Sequence, residues 1–494
     1  MNTAEAQSLI RSGMQLHAAG QLDQAERIYQ QALSIVPDDA DAVHLLGIIA
    51  CQRQQFERGR EWIMRAISLS PATSSYHNSL GNAYRGLGRL SDAITEYRSA
   101  TILDRSNLEA LNNLGVALDD ADQLADALDC FDWLISARND IPQWHTNRGS
   151  VQMNAGQTEA AIASFRRAIE LNPHFPLAHV KLSAALLRAG RYTEGWAEAE
   201  YRLPGGNTQN PAAADASPRW DGSPLGGRTL LIHSEQGHGD QFQFVRYLPL
   251  IEKETGRLIV QCHAGTETLL RSIKCVDEWL PIGQPLPRHD VQAAIMSLPY
   301  LLQGKTQSVP NDLPYLQPDS QSIAEWAQRL GPRIDARKRI GLAWSGNPTH
   351  SNDRRRSCPP NQFSLLASVA GVEFHRLQMP REVPSPPGLK LIDHTQQLTD
   401  FDQTAALIAN LDLVISVDTA IAHLAGAMSK PLWVLLPFSA EWRWLEQRED
   451  SPWYPTARLF RQESPGDWAG VLQRVRSELE RQHTDRTTSS SIPA

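Results

Sequence analysis

The first half of the chain repeats itself every 34 residues. Small residues recur at Ala25, Gly59, Ala93, Ala127, Ala161 and Gly195, and a second small column reads Gly13, Gly47, Gly81, Gly115, Gly149 and Ser183. A bulky column, Tyr29, Ile63, Tyr97, Phe131 and Phe165, follows the first. Pro37, Pro71 and Pro173 mark helix ends, with Arg105 and Asn139 where proline would stand. Small residues at fixed spacing let two antiparallel helices cross closely, a bulky one fills the gap toward the next pair, and proline stops the second helix. Such a segment builds a stack of helix pairs instead of one globular core.

The period and residue types resemble the tetratricopeptide repeat. Five full repeats cover residues 6–175, and an altered sixth pair ends near Arg202, where RYTEGWAEAEYR reads as a capping helix. Residues 1–202 are therefore expected to form a solenoid whose first helices line a groove for extended peptide. Asn113 and Asn147 share a repeat position there, and Asn78 lies one residue earlier in its repeat, as does Asn112. An asparagine side chain both donates and accepts, so it can hold a peptide backbone without reading side chains. The O-GlcNAc transferases, which also carry these repeats, hold acceptor protein on a comparable asparagine ladder. That resemblance implies acceptor binding by Asn78, Asn113 and Asn147, although Asn is also common at this position for structural reasons.

At 494 residues the chain is long enough for two to four domains. Its 21% charged residues and net charge of −8 fit an ordinary globular protein, and the densest basic run is only Arg354-Arg355-Arg356. Nucleic-acid binding through a basic footprint is thereby disfavoured. Residues 1–202 hold 18 basic against 24 acidic residues and the remainder 29 against 31, so an acidic front meets a near-neutral back. The five cysteines form no CxxC pair, which favours reduced thiols and a cytoplasmic location. There is no run of apolar residues long enough for a membrane span, and the N-terminus does not read as a signal peptide.

Residues 203–227 are rich in Pro, Gly and Ala and read as a linker. RTLLIHSEQ, a glycine-containing turn and FQFVRYLPLIEKE then read as strand, turn and helix, with RLIVQC as a second strand. This β-α-β pattern predicts a first lobe over 228–330. A second lobe over 338–482 opens at KRIGLAWSGNP and contains LDLVISVDTAIAHLAGAMSKPLWVLLP, a strand, turn, helix and strand. Residues 483–494 read as a disordered tail. The expected fold is thus an α + α/β multidomain chain, an all-α solenoid followed by two Rossmann-like lobes with a ligand cleft at the strand ends.

In the second lobe, Ser416–His423 leads a strand into a helix whose first N–H groups suit a phosphate. Asp418 or Thr419 can cap that helix, while His423 equally suits a satisfied core position. This stretch resembles the donor-site motif of glycosyltransferase family 9, the bacterial heptosyltransferases, in which Asp-Thr-x-x-x-His grips the diphosphate of a nucleotide sugar. Gly341–Pro348, Asn352–Ser357, Glu441–Leu445 and Ser451–Pro455 extend the likeness to tetratricopeptide-containing bacterial glycosyltransferases over residues 218–470. The resemblance implies a GT-B pair of lobes, metal-independent chemistry and no cofactor beyond the nucleotide-sugar substrate. Donor contacts then fall on Ser345, Gly346, Asn347, Arg356, Asp418, Thr419, His423, Gly426 and Trp442.

An inverting sugar transfer needs a carboxylate to take the proton from the attacking hydroxyl. In the heptosyltransferases an Asp after Gly at the first strand-to-helix turn is proposed for this role, and it corresponds to Asp240. Glu235 and His238 lie in the same turn as alternative bases. Arg356 is the expected clamp on the leaving diphosphate. Asp400-Phe401-Asp402 spells a metal motif of another glycosyltransferase fold but stands at a helix start, where capping explains it. The implied reaction is glycosylation of a protein hydroxyl, with flagellin or another surface protein as acceptor by analogy. A lipopolysaccharide or other glycan acceptor is one alternative, and a non-catalytic scaffold is the other.

Overall fold

The computed structural model describes residues 2–203, 217–305, 309–333, 337–350, 352–380 and 382–489. The chain divides into two compact units, Met1–Ala178 and His179–Ala494.

The first unit consists of antiparallel helix pairs: α1 (Asn2–Ala18) with α2 (Leu22–Ile35), α3 (Ala40–Gln52) with α4 (Phe56–Leu69), and α5 (Ser74–Gly86) with α6 (Leu90–Leu103). α7 (Leu108–Asp120) pairs with α8 (Leu124–Ala137), and α9 (Pro142–Asn154) with α10 (Thr158–Leu171). The two sequence columns meet inside each pair. A Cβ added to Gly13, Gly81 or Gly149 would come within 2.4–2.5 Å of the ring of Tyr29, Tyr97 or Phe165. Each ring therefore lies on the glycine of its own pair, and Tyr29 also clusters with Leu46 and Ile49 of the next. Successive first helices pack on one another, α3 on α5, α5 on α7 and α7 on α9.

The sixth pair, α11 (Pro176–Arg188) and α12 (Tyr192–Ala199), departs from the expected boundary at residue 202. The division falls in the first turn of α11, and the rest of this pair packs within the second unit. Trp196 of α12 meets Phe244, Trp442 and Trp453 edge to face, at ring separations of 5.9, 5.2 and 6.4 Å. Buried Arg188 binds Glu446 at 2.6 Å and donates to Ser439 at 2.8 Å. Edge-to-face aromatic packing and a paired buried guanidinium fix the sixth pair to the body of this unit.

The first sheet comprises β1 (Thr229–His233), β2 (Arg257–Cys262), β3 (Glu278–Pro281) and β4 (Val291–Ala294), all parallel, in the order β3-β2-β1-β4. After β1 comes α13 (His238–Phe244), shorter than its sequence suggested because it tightens into the turns of Val245–Leu250 around Pro249. α14 (Glu267–Leu270) and α15 (Leu298–Leu301) complete this lobe.

Two expected boundaries are corrected here. Residues 217–227 are no linker: Trp220 is buried, its backbone bonds to Gln292 of β4, and Leu225 joins the core. Residues 204–216, the remainder of that segment, lie outside the described residues. α16 (Ser320–Leu330), expected in the first lobe, packs on the second instead. Its Trp326 indole donates to Gln403, and Ser322 donates to Asp402.

The second sheet runs β10-β9-β8-β5-β6-β7, also entirely parallel. Its strands are β5 (Lys338–Ala343), β6 (Val372–Arg376), β7 (Leu391–Asp393), β8 (Leu413–Val417), β9 (Leu432–Leu436) and β10 (Ala457–Arg461). β8 and β9 are buried along their whole length, as expected of parallel strands covered on both faces. α17 (Asp353–Arg356), α18 (Phe401–Ala409), α19 (Ala420–Ala427) and α20 (Trp468–Ser489) supply its helices. α20 continues through Ser489, so residues 483–489 are helical where a tail was expected; 490–494 lie outside the described residues.

Candidate active site

Both sheets reverse their winding direction beside a central strand, and that is where open α/β sheets bind ligands. In the first lobe the reversal lies between β1 and β4, in the second between β5 and β8. The expected site residues cluster at these strand ends.

The turn after β1 carries Glu235, His238 and Asp240. Glu235 is engaged by both arms of Arg202, at 3.1 and 2.7 Å, and accepts from Met296 N at 3.3 Å. This carboxylate neutralises a partly buried guanidinium, so a free-base role does not fit its surroundings. The His238 ring packs at 4.6 Å from His263 and 4.8 Å from Phe401. Burial, helped by His263, pushes its pKa down to about 4, which keeps it neutral. Asp240 closes the N-terminus of α13, its Oδ2 accepting from Gly237 N at 3.0 Å. Its Oδ1 is paired with Arg443.

Arg443 belongs to the second lobe and ties it to the first. Its Nε donates to Gln243 Oε1 at 2.5 Å, and Nη1 lies 3.4 Å from Glu441. Asp418, at the end of β8, lies within its electrostatic reach. Asp418 is buried, which by itself raises a carboxyl pKa, but His423, Arg443 and Trp444 outweigh that and hold it below the usual range. His423 lies 3.5 Å from Asp418 Oδ1 through Nε2 and bonds the Tyr454 hydroxyl at 2.9 Å through Nδ1. The start of α13 abuts the start of α19, with Gly239 against the His423 ring. Thr419 is the N-cap of α19 but makes no side-chain cap bond; its hydroxyl lies 3.1 Å from Ser416 Oγ instead. Asp240, Asp418, Thr419 and His423 are thus gathered at the junction of the lobes.

A second cluster leaves the neighbouring strand end, since Ala343 of β5 is in register with Ser416 of β8. Ser345 N bonds Gln378 at 2.8 Å, and Gly346 N bonds Ser357 Oγ at 2.9 Å. The Arg356 guanidinium lies directly over Gly346, where a Cβ would meet its nitrogens at 2.6 and 2.7 Å. Asn347 turns its side chain onto Thr349, accepting from both N and Oγ1. Residues 345–350 and 352–357 thus fold back on each other, and Asp353 pairs with Arg356 at 3.4 Å and accepts from Ser357 Oγ at 2.9 Å.

Gly426 and Trp442 pack behind the first cluster, with the Arg443 guanidinium 4.4 Å from the centroid of the Trp442 ring. A Cβ on Gly426 would meet the Tyr454 ring at 2.4 Å, so this glycine permits close packing. Trp442 is buried among Trp196, Trp453 and Phe244, so its ring faces the core and the Arg443 guanidinium. Asp400 caps α18, accepting from Gln403 N at 2.8 Å. Among the described residues no group of three or more His, Cys, Asp or Glu side chains is placed to hold a metal ion. All five cysteines are free, and no described helix is long and apolar enough to cross a membrane.

In the first unit the asparagines form a ladder that bonds to itself. Asn113 donates to Asn78 at 3.0 Å and Asn147 to Asn112 at 3.0 Å, each across one repeat. Asn78 is buried and donates to Glu109. The ladder joins neighbouring first helices, which sequence spacing alone did not reveal. Arg443, Gln243 and His263 join the site without a sequence signal of their own. Arg443 lies within the Glu441–Leu445 segment of the family likeness, and its acidic partner lies 203 residues away.

Comparison with known proteins agrees with this division. Tetratricopeptide repeat models match residues 16–82 and 142–175, and a TPR repeat model matches 81–119. Glycosyltransferase family 9 (heptosyltransferase) matches residues 397–444, from α18 through Arg443 and Trp444. Protein FlbA of Caulobacter vibrioides is 27% identical over 92% of this chain and 80% of its own length. The human Cell division cycle protein 16 homolog is 27% identical over 28% of this chain, which spans 24% of that protein. Among solved structures, YrrB, a TPR protein with an unusual peptide-binding site, is 20% identical over 34% of this chain and 88% of its own, with a TM-score of 0.31. The chain is a tetratricopeptide-repeat protein whose C-terminal unit is glycosyltransferase-like.

Proposed function

We propose that the second unit transfers a sugar from a nucleotide-sugar donor to a hydroxyl of a protein acceptor recruited by the repeats. The observation that carries this reading is the meeting of Asp240 with Arg443, Asp418 and His423 where the two lobes join. Asp240 takes the acceptor proton, the freed oxygen pair attacks the anomeric carbon, and the sugar–phosphate bond breaks with inversion. Its electron pair leaves with the nucleoside diphosphate. The first N–H groups of α19 and the Arg356 loop receive that charge, so the step needs no metal ion. Tethering the acceptor on the repeats raises its effective concentration at the site. The asparagine ladder fits a structural part of that surface, with half-buried Asn113 and Asn147 at its edge toward peptide.

The test is binding to a panel of nucleotides and nucleotide sugars, read by thermal shift, with His423→Gln as control. One nucleotide that stabilises the protein, and whose shift the variant loses, is the expected result and names the donor class. Folded protein that responds to none of them would reject the transferase reading in favour of a peptide-binding scaffold.

A further inference from the structure

We infer that Arg443 is held in turn by Asp240 and by the diphosphate of the donor, so that donor binding itself frees the base. The inference rests on the donor reading above and adds an order to it. The guanidinium is spread over Asp240 Oδ1, Glu441 Oε2 and Gln243 Oε1. Each partner receives a single N–H direction, and a phosphate group offers a guanidinium the paired geometry that none of them supplies.

Two further features equip the site for the exchange. Gln243 is fully buried and its Nε2 has no hydrogen-bond partner among the described residues, although its Oε1 bonds Arg443. An unmatched buried amide is costly, and an acceptor oxygen arriving beside Arg443 would satisfy it. Asp240 is also held from its other side, Oδ2 accepting from Gly237 N at 3.0 Å. Loss of Arg443 therefore bares Oδ1 without releasing the carboxylate. The bared oxygen takes the acceptor proton, the acceptor oxygen bonds the anomeric carbon, and the departing diphosphate keeps the electron pair and its hold on Arg443.

Competition between Asp240 and the donor has a signature that a preformed phosphate site lacks. Asp240→Asn keeps the shape and the Gly237 bond but removes the charge that retains Arg443. Titration calorimetry with the nucleoside diphosphate identified by the panel should show Asp240→Asn binding about fivefold tighter than wild type, because more molecules have Arg443 available. Arg443→Ala should bind roughly tenfold weaker or worse, having lost a charged bond. Asp240→Asn/Arg443→Ala should match Arg443→Ala alone. If wild type binds and Asp240→Asn binds equally or more weakly, the exchange is wrong while the donor site stands. If wild type binds no nucleoside diphosphate, both fall. Loss of like-charge repulsion alone would also tighten binding at a preformed site, so the double variant decides: further tightening over Arg443→Ala alone overturns the exchange, with Arg443→Gln as the background if Arg443→Ala does not fold.

Discussion

Gly239 of the first lobe lies against the ring of His423 in the second, so close that a Cβ on the glycine would stand 2.8 Å from His423 Cδ2. The nearest backbone atom of α19, Ala420 Cα, would be 3.6 Å away. A side chain of any size at 239 therefore acts as a wedge between the starts of α13 and α19. Gly239→Ala should cost about 1–3 kcal/mol by overpacking and weaken nucleotide binding. Thermal melts and calorimetry would check both, and His423→Ala placed in the same chain should restore part of the stability.

Buried Glu235 pairs with partly buried Arg202, their side chains 7% and 13% exposed. Glu235→Gln leaves Arg202 with Glu200 at 3.0 Å and Ser297 at 3.0 Å, so the guanidinium is only partly compensated. The expected loss is about 3 kcal/mol of stability. Urea titration measures it, while nucleotide affinity of the folded variant should stay near wild type. A variant of normal stability that had lost transfer would instead return Glu235 to the role of base.

Acid should weaken the protein partly through His238. Burial holds its folded pKa at about 4, against 6.5 when unfolded, so the unfolded chain binds the proton first. This contribution is complete above pH 6.5 and declines as the pH falls toward 4, at a limiting slope of about 1.4 kcal/mol per pH unit. His44 and His375, both also held at about 4, add to the decline in the same window. Melting temperatures at pH 7 and pH 5 should therefore converge in His238→Gln relative to wild type.

The sixth helix pair predicts how the chain can be cut. A fragment of residues 179–494 keeps Trp196 on Phe244, Trp442 and Trp453, and keeps Arg188 on Glu446. One of residues 217–494 lays that aromatic bed open to water. Size-exclusion chromatography with light scattering should find the longer fragment monodisperse and the shorter one aggregated. Equal behaviour of the two would show that the sixth pair is dispensable.

The repeats were legible because their physics is local and periodic: Gly13 and Tyr29 meet after 16 residues, and the same meeting recurs at Gly81 with Tyr97 and Gly149 with Phe165. The parallel strands were legible from apolar runs such as LDLVISV, which is buried throughout as β8. Composition misled at 217–227, where Pro and Gly suggest a linker but Trp220 and Leu225 anchor the segment to the core. Periodicity located α16 but could not assign it to a lobe, since its attachment depends on Gln403 and Asp402, about 80 residues on. For the same reason the pairing of Arg443 with Asp240 left no mark in the sequence. Each residue is ordinary in its own neighbourhood, and the meaning arises only where two lobes bring them together.

The placement of the sixth pair separates counting from construction. By sequence it is one more turn of the array, yet physically it is the opening segment of the second unit. Blocks of 34 residues can be gained or lost upstream of Pro176 without touching the seat of Trp196. The number of repeats and the integrity of the second unit's core are therefore set independently of each other.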